Sequence, residues 1–217
     1  MGTPHFAVPT LRALAESRHE LLAVVTNPDR RKGRGRQLAS PPVKEQALEL
    51  GLDVLQPAST RDPQLAEALR HLAPDLFVVV AFSILPRRLL AIPRLGSVNL
   101  HPSLLPAYRG AAPIIWAVVN GENETGISTF RLNPRVDAGD ILLQRRFAIG
   151  EHETAGELEA RLCLEGATMM VETLNGLEDG QITGRAQKAQ GVTRAPKLVK
   201  EDGVIDWSQP AEEIRNL

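Results

Sequence analysis

The feature that most constrains the fold is an apolar run between residues 75 and 82. After Asp75 the sequence is Leu-Phe-Val-Val-Val-Ala-Phe. A strand with one face in water alternates apolar and polar residues, so this run predicts a central strand that is covered on both faces. Such strands are typical of parallel sheets with helices on both sides.

Shorter apolar runs alternate with amphipathic stretches on either side of this strand. The rhythm predicts an α/β fold with an open, mostly parallel twisted sheet and helices on both faces. Thr154 and Glu157, three residues apart, predict a capping box at the start of a long helix. The predicted strands are residues 21–26, 52–55, 75–82, 97–100, 125–132 and 141–149, and the predicted helices are residues 9–18, 42–50, 63–72, 111–119 and 154–174.

Both ends of the chain depart from this rhythm. Gly2, Thr3 and Pro4 resemble the loop that follows a first strand, so we expect the first strand of the sheet to be missing. Beyond Gly180 the sequence is polar and loses its period. We therefore expect a catalytic domain over residues 1–180 and a linker over residues 181–217.

Composition excludes several classes of protein. Lys and Arg number 25 against 26 Asp and Glu, so the net charge is −1 and a globally basic nucleic-acid binder is excluded. The single cysteine, Cys163, excludes an intrachain disulfide and a cysteine-based metal cluster. The apolar run is too short to span a bilayer, and the start of the sequence lacks the pattern of a signal peptide. A cytoplasmic protein is therefore expected.

A candidate catalytic pair ends one of the predicted strands. Ligands of open α/β sheets bind at the carboxyl ends of the strands, and Asn99 and His101 lie at such an end. Alternation along a strand places both side chains on the same face. An amide can donate to a carbonyl oxygen, and an imidazole can move a proton near neutral pH. On its own, an Asn-x-His sequence is more often structural than catalytic.

Two nearby segments strengthen the catalytic hypothesis. The residues Ser103 to Pro106 form part of a proline-bounded loop, followed by the sequence Tyr-Arg-Gly-Ala-Ala-Pro from Tyr108. Asp137 and Asp140 flank Gly139 between two predicted strands. If Asp137 faces His101, its carboxylate raises the pKa of the imidazole and orients the ring; otherwise this segment is an ordinary solvated turn.

A basic segment stands apart from these residues. Five of seven consecutive positions are cationic, with two glycines and no acid. An exposed flexible loop of this kind suits a phosphate backbone, although a solvated loop without a partner is also common. The absence of an aromatic residue gives no support for base stacking. The cationic residues are Arg30, Arg31, Lys32, Arg34 and Arg36.

Taken together, these residues resemble the folate-dependent formyltransferase family. The central signature is Asn99, His101 and Asp137 with the loop over residues 103–113, and the likeness covers most of the chain. It implies a Rossmann-like domain, 10-formyltetrahydrofolate as co-substrate and no metal. It also implies folate-binding residues in two loops and at one acidic position: Phe82, Ser83, Ile84, Leu85, Ser103, Leu104, Leu105, Pro106 and Asp140.

Three stretches are most similar to the branch of this family that acts on initiator methionyl-tRNA. They are residues 2–9, residues 28–44 with the basic segment, and residues 196–207. In that branch the basic segment reaches the tRNA, and a C-terminal barrel domain, expected to be absent after Leu217, also holds it. A monomer is expected.

The resemblance also implies a mechanism. Asn99 and a protonated His101 stabilise the tetrahedral oxyanion, His101 protonates the leaving folate nitrogen, and Asp137 orients His101 and helps to accept the proton of the amine. Three alternatives remain open from the sequence. They are a family member with a purine-precursor or amino-sugar acceptor, a hydrolase of formyl-folate, and a non-catalytic RNA-binding module.

Overall fold

The computed structural model of the protein describes residues 1–32 and 35–217. The strands in this part of the chain are β1 (Val24–Val25), β2 (Arg30–Lys32), β3 (Gln37–Ala39), β4 (Val54–Leu55), β5 (Phe77–Val80), β6 (Ser97–His101), β7 (Arg109–Gly110), β8 (Glu124–Arg131), β9 (Ile141–Ala148) and β10 (Arg194–Ala195). The α-helices are α1 (Val8–Ala15), α2 (Pro42–Glu49), α3 (Pro63–Leu72), α4 (Arg87–Leu90), α5 (Pro113–Val119), α6 (Ala155–Glu178) and α7 (Ala211–Asn216). None of the helices described is both long and apolar enough to cross a membrane.

The largest sheet has four strands in the order β5-β6-β8-β9. Strands β5 and β6 are parallel, whereas β6–β8 and β8–β9 are antiparallel. The short segment between β8 and β9 allows only a hairpin, because a parallel neighbour needs a crossover of a dozen residues or more. The sheet is therefore mixed, with its parallel half at β5 and β6.

A second, parallel pair of strands, β1 and β4, lies beside β5. Met1 and Gly2 bridge the two sheets: the Met1 backbone nitrogen donates to the Val78 carbonyl at 2.7 Å, and the Gly2 nitrogen donates to the Val25 carbonyl at 3.1 Å. A cavity of about 570 Å³ separates the remaining lengths of the two strand edges. Within the described residues, the expected single sheet is thus present as two strand groups, and the backbone of residues 1 and 2 is hydrogen-bonded to both.

Helices cover both faces of the main sheet. On one face Leu100 packs so closely against α6 that a Cβ at Gly166 would lie 2.7 Å from its side chain, and Thr129 is hydrogen-bonded to Thr173 at 2.8 Å. On the other face Phe77 and Val79 pack against α3 and α4. The predicted α/β architecture with helices on both faces is confirmed.

The long helix α6 begins with the predicted capping box. The Thr154 hydroxyl accepts a hydrogen bond from the Glu157 nitrogen at 3.3 Å, and the Glu157 carboxylate accepts one from the Thr154 nitrogen at 2.9 Å. Each contact satisfies a backbone N–H that the helix leaves without a partner. The helix extends to Glu178, four residues beyond its predicted end.

The segment predicted as a linker, residues 181–217, lies in part against the domain. Strand β10 pairs with β7 in parallel, and Arg185 and Ile141 exchange two backbone hydrogen bonds of 2.8 Å. The sequence does not predict this association, because backbone groups make most of the contacts and the side chains of the segment are polar.

We expect Thr154→Ala to lower the free energy of unfolding by about 1 kcal/mol, since it removes the side-chain half of the capping box. Thr168→Ala, the same change at an exposed site on the same helix, serves as the control and should change it by less than about 0.5 kcal/mol. Urea unfolding measures both, and equal effects would contradict a role for the cap.

Candidate active site

His101, at the end of β6, is the most buried member of the predicted catalytic set. Only 5% of its surface is exposed, and its ring lies edge-on to Phe130 with the centroids 6.4 Å apart. Its Nε2 lies 2.8 Å from the Tyr108 carbonyl oxygen. Because a carbonyl can only accept, Nε2 carries the hydrogen, which leaves Nδ1 as the nitrogen with a free lone pair in the neutral ring.

Asn99 lies two residues before His101 on the same face of β6, as the alternation predicts. Its cross-strand neighbour is Phe130, and that of His101 is Ser128. The amide group of Asn99 lines a small cavity and makes no hydrogen bond to the described part of the chain. It is therefore available to an incoming carbonyl oxygen.

Asp137 approaches His101 from the loop between β8 and β9. Its Oδ2 lies 3.8 Å from His101 Nδ1, within ion-pair distance but too far for a hydrogen bond. The same oxygen accepts a hydrogen bond of 2.8 Å from the Gly110 nitrogen. The structure therefore brings the two predicted residues together, while the group that directly orients the imidazole is the Tyr108 carbonyl.

Opposing effects act on the pKa of His101, and burial has the largest effect. Burial disfavours the imidazolium and lowers the pKa of His101, while the negative charge of Asp137 and the hydrogen bond to Tyr108 oppose this change. The net pKa lies below its usual value. The neutral ring is consequently favoured at neutral pH.

The cavity beside Asn99 and Asp137 has a volume of about 90 Å³ and is open to solvent. This is smaller than the sites that enclose a whole drug-sized ligand, roughly 300–1,000 Å³. It therefore matches one ring-sized fragment with the remainder of a ligand outside. Four of the predicted folate-binding residues are among those that line it: Phe82, Ser83, Ile84 and Leu85.

The other predicted folate-binding residues lie outside the lining of this cavity. Ser103 and Leu105 are buried, and Ser128 ties their loop to β8 by donating to the Ser103 carbonyl at 2.6 Å and accepting from the Leu105 nitrogen at 3.1 Å. Leu105 packs against Phe130. Ser103 and Leu105 thus contact β8 and do not line the cavity.

The remaining members of this predicted group, Leu104, Pro106 and Asp140, are not brought to the cavity either. The Leu104 side chain packs so tightly over Gly126 that a Cβ there would lie 2.3 Å from it. Asp140 is exposed at the end of the β8–β9 loop.

Sequence reasoning missed the groups that hold this site together. Tyr108 adopts a left-handed backbone conformation, with φ at +56°. Its nitrogen donates to the Thr193 hydroxyl at 2.8 Å, and Gln187 donates to the loop that carries Asp137. No sequence pattern predicts a role for Thr193 or Gln187, because both lie in the polar stretch without periodicity.

Residues 30–32 of the basic segment lie in a strand where a flexible loop was predicted, and we call the strand pair β2–β3 the basic hairpin. Strands β2 and β3 pair in antiparallel register, with Arg30 opposite Ala39. Arg30, Arg31 and Arg36 are exposed. Arg34 and the side chain of Lys32 lie outside the described residues.

Asp29 anchors the base of the hairpin. Lys44 donates to it at 2.7 Å and Gln56 at 2.8 Å. These two bonds, that of Gln56 first, hold the pKa of Asp29 below its usual value.

No group of three or more His, Cys, Asp or Glu side chains within residues 1–32 and 35–217 is placed to hold a metal ion.

We expect Asp137→Asn to lower the pKa of His101 further, because the substitution removes the negative charge that favours the imidazolium. NMR titration of the imidazole nitrogens measures the pKa. Asp140→Asn, an exposed carboxylate in the same loop, is the control and should leave it unchanged. The same His101 pKa in wild type and Asp137→Asn would show that the two side chains do not interact.

The chain is similar in sequence to known proteins over its whole length. The family described as formyl transferase matches residues 1–174. The methionyl-tRNA formyltransferase of Geobacter metallireducens is 52% identical over 218 residues, which cover all of this chain and 70% of that protein. The methionyl-tRNA formyltransferase of Caldanaerobacter subterraneus is 48% identical and is covered to 71%.

Solved structures support the fold. WlaRD, a sugar 3N-formyl transferase crystallised in the presence of dTDP and 5-N-formyl-THF, superposes with a TM-score of 0.73 at 20% identity, over 99% of this chain and 75% of that one. Glycinamide ribonucleotide transformylase 1 from Symbiobacterium toebii gives a TM-score of 0.71 at 22% identity, over 86% and 90% of the two chains. From its sequence match and this shared fold, the chain belongs to the formyl transferase family.

Proposed function

We propose that this protein transfers the formyl group of 10-formyltetrahydrofolate to the α-amino group of methionine on initiator methionyl-tRNA. The observation that carries the proposal is that Asn99 and Asp137 line one cavity, with the Asp137 carboxylate 3.8 Å from His101 Nδ1. The relatives at about half identity over the whole chain, both methionyl-tRNA formyltransferases, support the choice of acceptor.

The reaction forms one C–N bond and breaks another. The methionine amine attacks the formyl carbon, and the carbonyl oxygen becomes a tetrahedral oxyanion. Asn99 donates a hydrogen bond to this oxygen, and its amide has no competing partner in the described chain. The C–N10 bond then breaks, and the formyl group remains on the amine. Such preorganised donors stabilise the transition state more than the ground state.

His101 transfers the proton from the attacking amine to the departing folate. The neutral ring accepts at Nδ1 the proton that the amine loses as it attacks, and the imidazolium returns this proton to N10 of the departing folate. Asp137, 3.8 Å from Nδ1, stabilises the transient imidazolium. Nε2 stays hydrogen-bonded to the Tyr108 carbonyl throughout, so that Nδ1 alone takes up and releases the transferred proton.

The folate enters along residues 82–85. These residues line the cavity next to Asn99, so a pterin ring inserted there places N10, which a methylene group joins to the ring, near the amide. Residues 103–106 act behind the site by supporting β6 and β8, and the rest of the folate remains outside the cavity. Asp140, at the end of the β8–β9 loop, remains a proposed folate contact.

The tRNA binds at the basic hairpin. Arg30, Arg31 and Arg36 supply exposed cationic groups on an otherwise nearly neutral protein, and Lys32 and Arg34 complete the set by sequence. The anchoring of Asp29 by Lys44 and Gln56 holds the base of the hairpin on the domain. Phosphate contacts of this kind set affinity and its dependence on salt.

Three further elements belong to the proposal. Residues 1–180 carry the catalytic domain, and residues 181–217, which lie in part against it, form a linker. The protein acts in the cytoplasm and as a monomer. Gel filtration with light scattering tests the last of these.

One assay separates this function from its alternatives. Formyl-labelled 10-formyltetrahydrofolate is incubated with the protein alone, with charged initiator tRNA, with an amino sugar nucleotide or with an amino purine precursor. Label on the tRNA supports the proposal, free labelled formate without an acceptor indicates a hydrolase, and label on a small acceptor indicates another branch of the family. No turnover in any arm indicates a binding module.

In this assay we expect Asn99→Ala and His101→Asn each to lower kcat by about 10²-fold or more, because each removes a group that acts on the transition state. The thermal unfolding temperature is the control for folding. Near-normal turnover by both variants would exclude these roles.

We expect Arg31→Ala and Arg36→Ala each to reduce the slope of log K against log salt for tRNA binding by about 0.7–0.9, the effect of one lost phosphate contact. Arg70→Ala, which removes an exposed charge from α3, should leave the slope unchanged. Filter binding at several salt concentrations measures it, and identical slopes in all three variants would rule out the hairpin as a phosphate contact.

A further inference from the structure

The loop that carries Asp137 needs support from outside itself. Asp137 has a left-handed backbone conformation, with φ at +46°, which a non-glycine residue rarely adopts. Two residues later the chain passes so close to β8 that a Cβ at Gly139 would lie 1.6 Å from the Arg131 carbonyl oxygen. Without contacts that hold it, such a strained turn relaxes and carries its carboxylate away.

Gln187 supplies these contacts through one amide group. Its Nε2 donates to the carbonyl oxygens of Asp137 and Gly139, at 2.8 Å each. Its Oε1 accepts from Arg109 Nε at 3.2 Å and from a terminal guanidinium nitrogen at 2.6 Å. Carbonyls only accept and guanidinium groups only donate, so the partners determine the orientation of the amide.

Gln187 and Arg109 connect the loop that carries Asp137 to the segment that contacts His101. Arg109 lies between Tyr108, whose carbonyl orients His101, and Gly110, whose nitrogen donates to Asp137. Gln187 bonds the side chain of Arg109 and the backbone of the Asp137 loop at once. Its position lies beyond residues 1–174, the part that the family match covers.

We propose that Gln187 is a positioning residue for catalysis, which holds the Asp137 carboxylate next to His101 by clamping the backbone of its loop to Arg109. The inference rests on the proposed formyl transfer. Gln187 itself touches neither reacting group. It maintains the distance between Oδ2 of Asp137 and Nδ1 of His101. This distance determines how strongly the carboxylate stabilises the imidazolium.

Three variants test this role in the full chain. Gln187→Ala removes all four hydrogen bonds. Gln187→Glu keeps an acceptor for Arg109 but cannot donate to the two carbonyls as an ionised group. Gln190→Ala makes the same truncation at an exposed position of the same segment and is the control.

For Gln187→Ala and Gln187→Glu we expect kcat to fall by about tenfold to a hundredfold, while KM for formyl-folate and for tRNA changes by less than about threefold. The pKa of His101, followed by NMR, should fall in both, because the carboxylate withdraws. Gln190→Ala should match wild type in every measurement.

The outcomes are distinct. Unchanged kcat and unchanged His101 pKa in Gln187→Ala would overturn the inference, as would a loss of activity that parallels a loss of thermal stability with the His101 pKa unaltered. Normal behaviour of Gln187→Glu would overturn the part assigned to the two donated bonds. If wild type itself transfers no formyl group, the proposed function fails, and the His101 pKa still decides whether Gln187 positions Asp137.

Discussion

The hydrogen bond between His101 and the Tyr108 carbonyl is the contact on which the rest of the site depends. A buried imidazole needs a partner for its N–H, and a carbonyl oxygen is one that can never donate in return. The bond therefore sets the ring orientation and the tautomer together. Every chemical property of the remaining nitrogen, including its exposure to Asp137 and to substrate, follows from it.

This contact in turn requires an unusual backbone. Tyr108 presents its carbonyl from a left-handed conformation, and its hydroxyl donates to Glu122 at 2.6 Å, so the residue is held at both ends. Gly110 follows with φ at +133° and passes so near Ala195 that a side chain would collide with its carbonyl. Three residues of chain thus carry the contacts to both His101 and Asp137, and β10 secures them from outside.

The parts of this architecture that sequence could predict are local ones. The capping box of α6 depends on two residues three apart, and the shared face of Asn99 and His101 depends on the period of a strand. The approach of Asp137 to His101 depends on how two loops fold back over the sheet, which no local pattern encodes. The role of Gln187 was hidden for another reason: a polar residue in a polar stretch has no periodicity to mark which of its neighbours it bonds.

The distance between Asp137 and His101 also explains the resting charge of the site. A direct hydrogen bond would favour the imidazolium strongly, whereas at 3.8 Å the attraction is weaker than the cost of burial, and the pKa of His101 falls. A separated carboxylate therefore leaves the imidazole neutral and able to accept a proton, yet it remains close enough to stabilise the charge once the proton has arrived. A shorter contact would raise the pKa of His101 and shift the ring toward the imidazolium, the form that cannot accept the proton of the attacking amine.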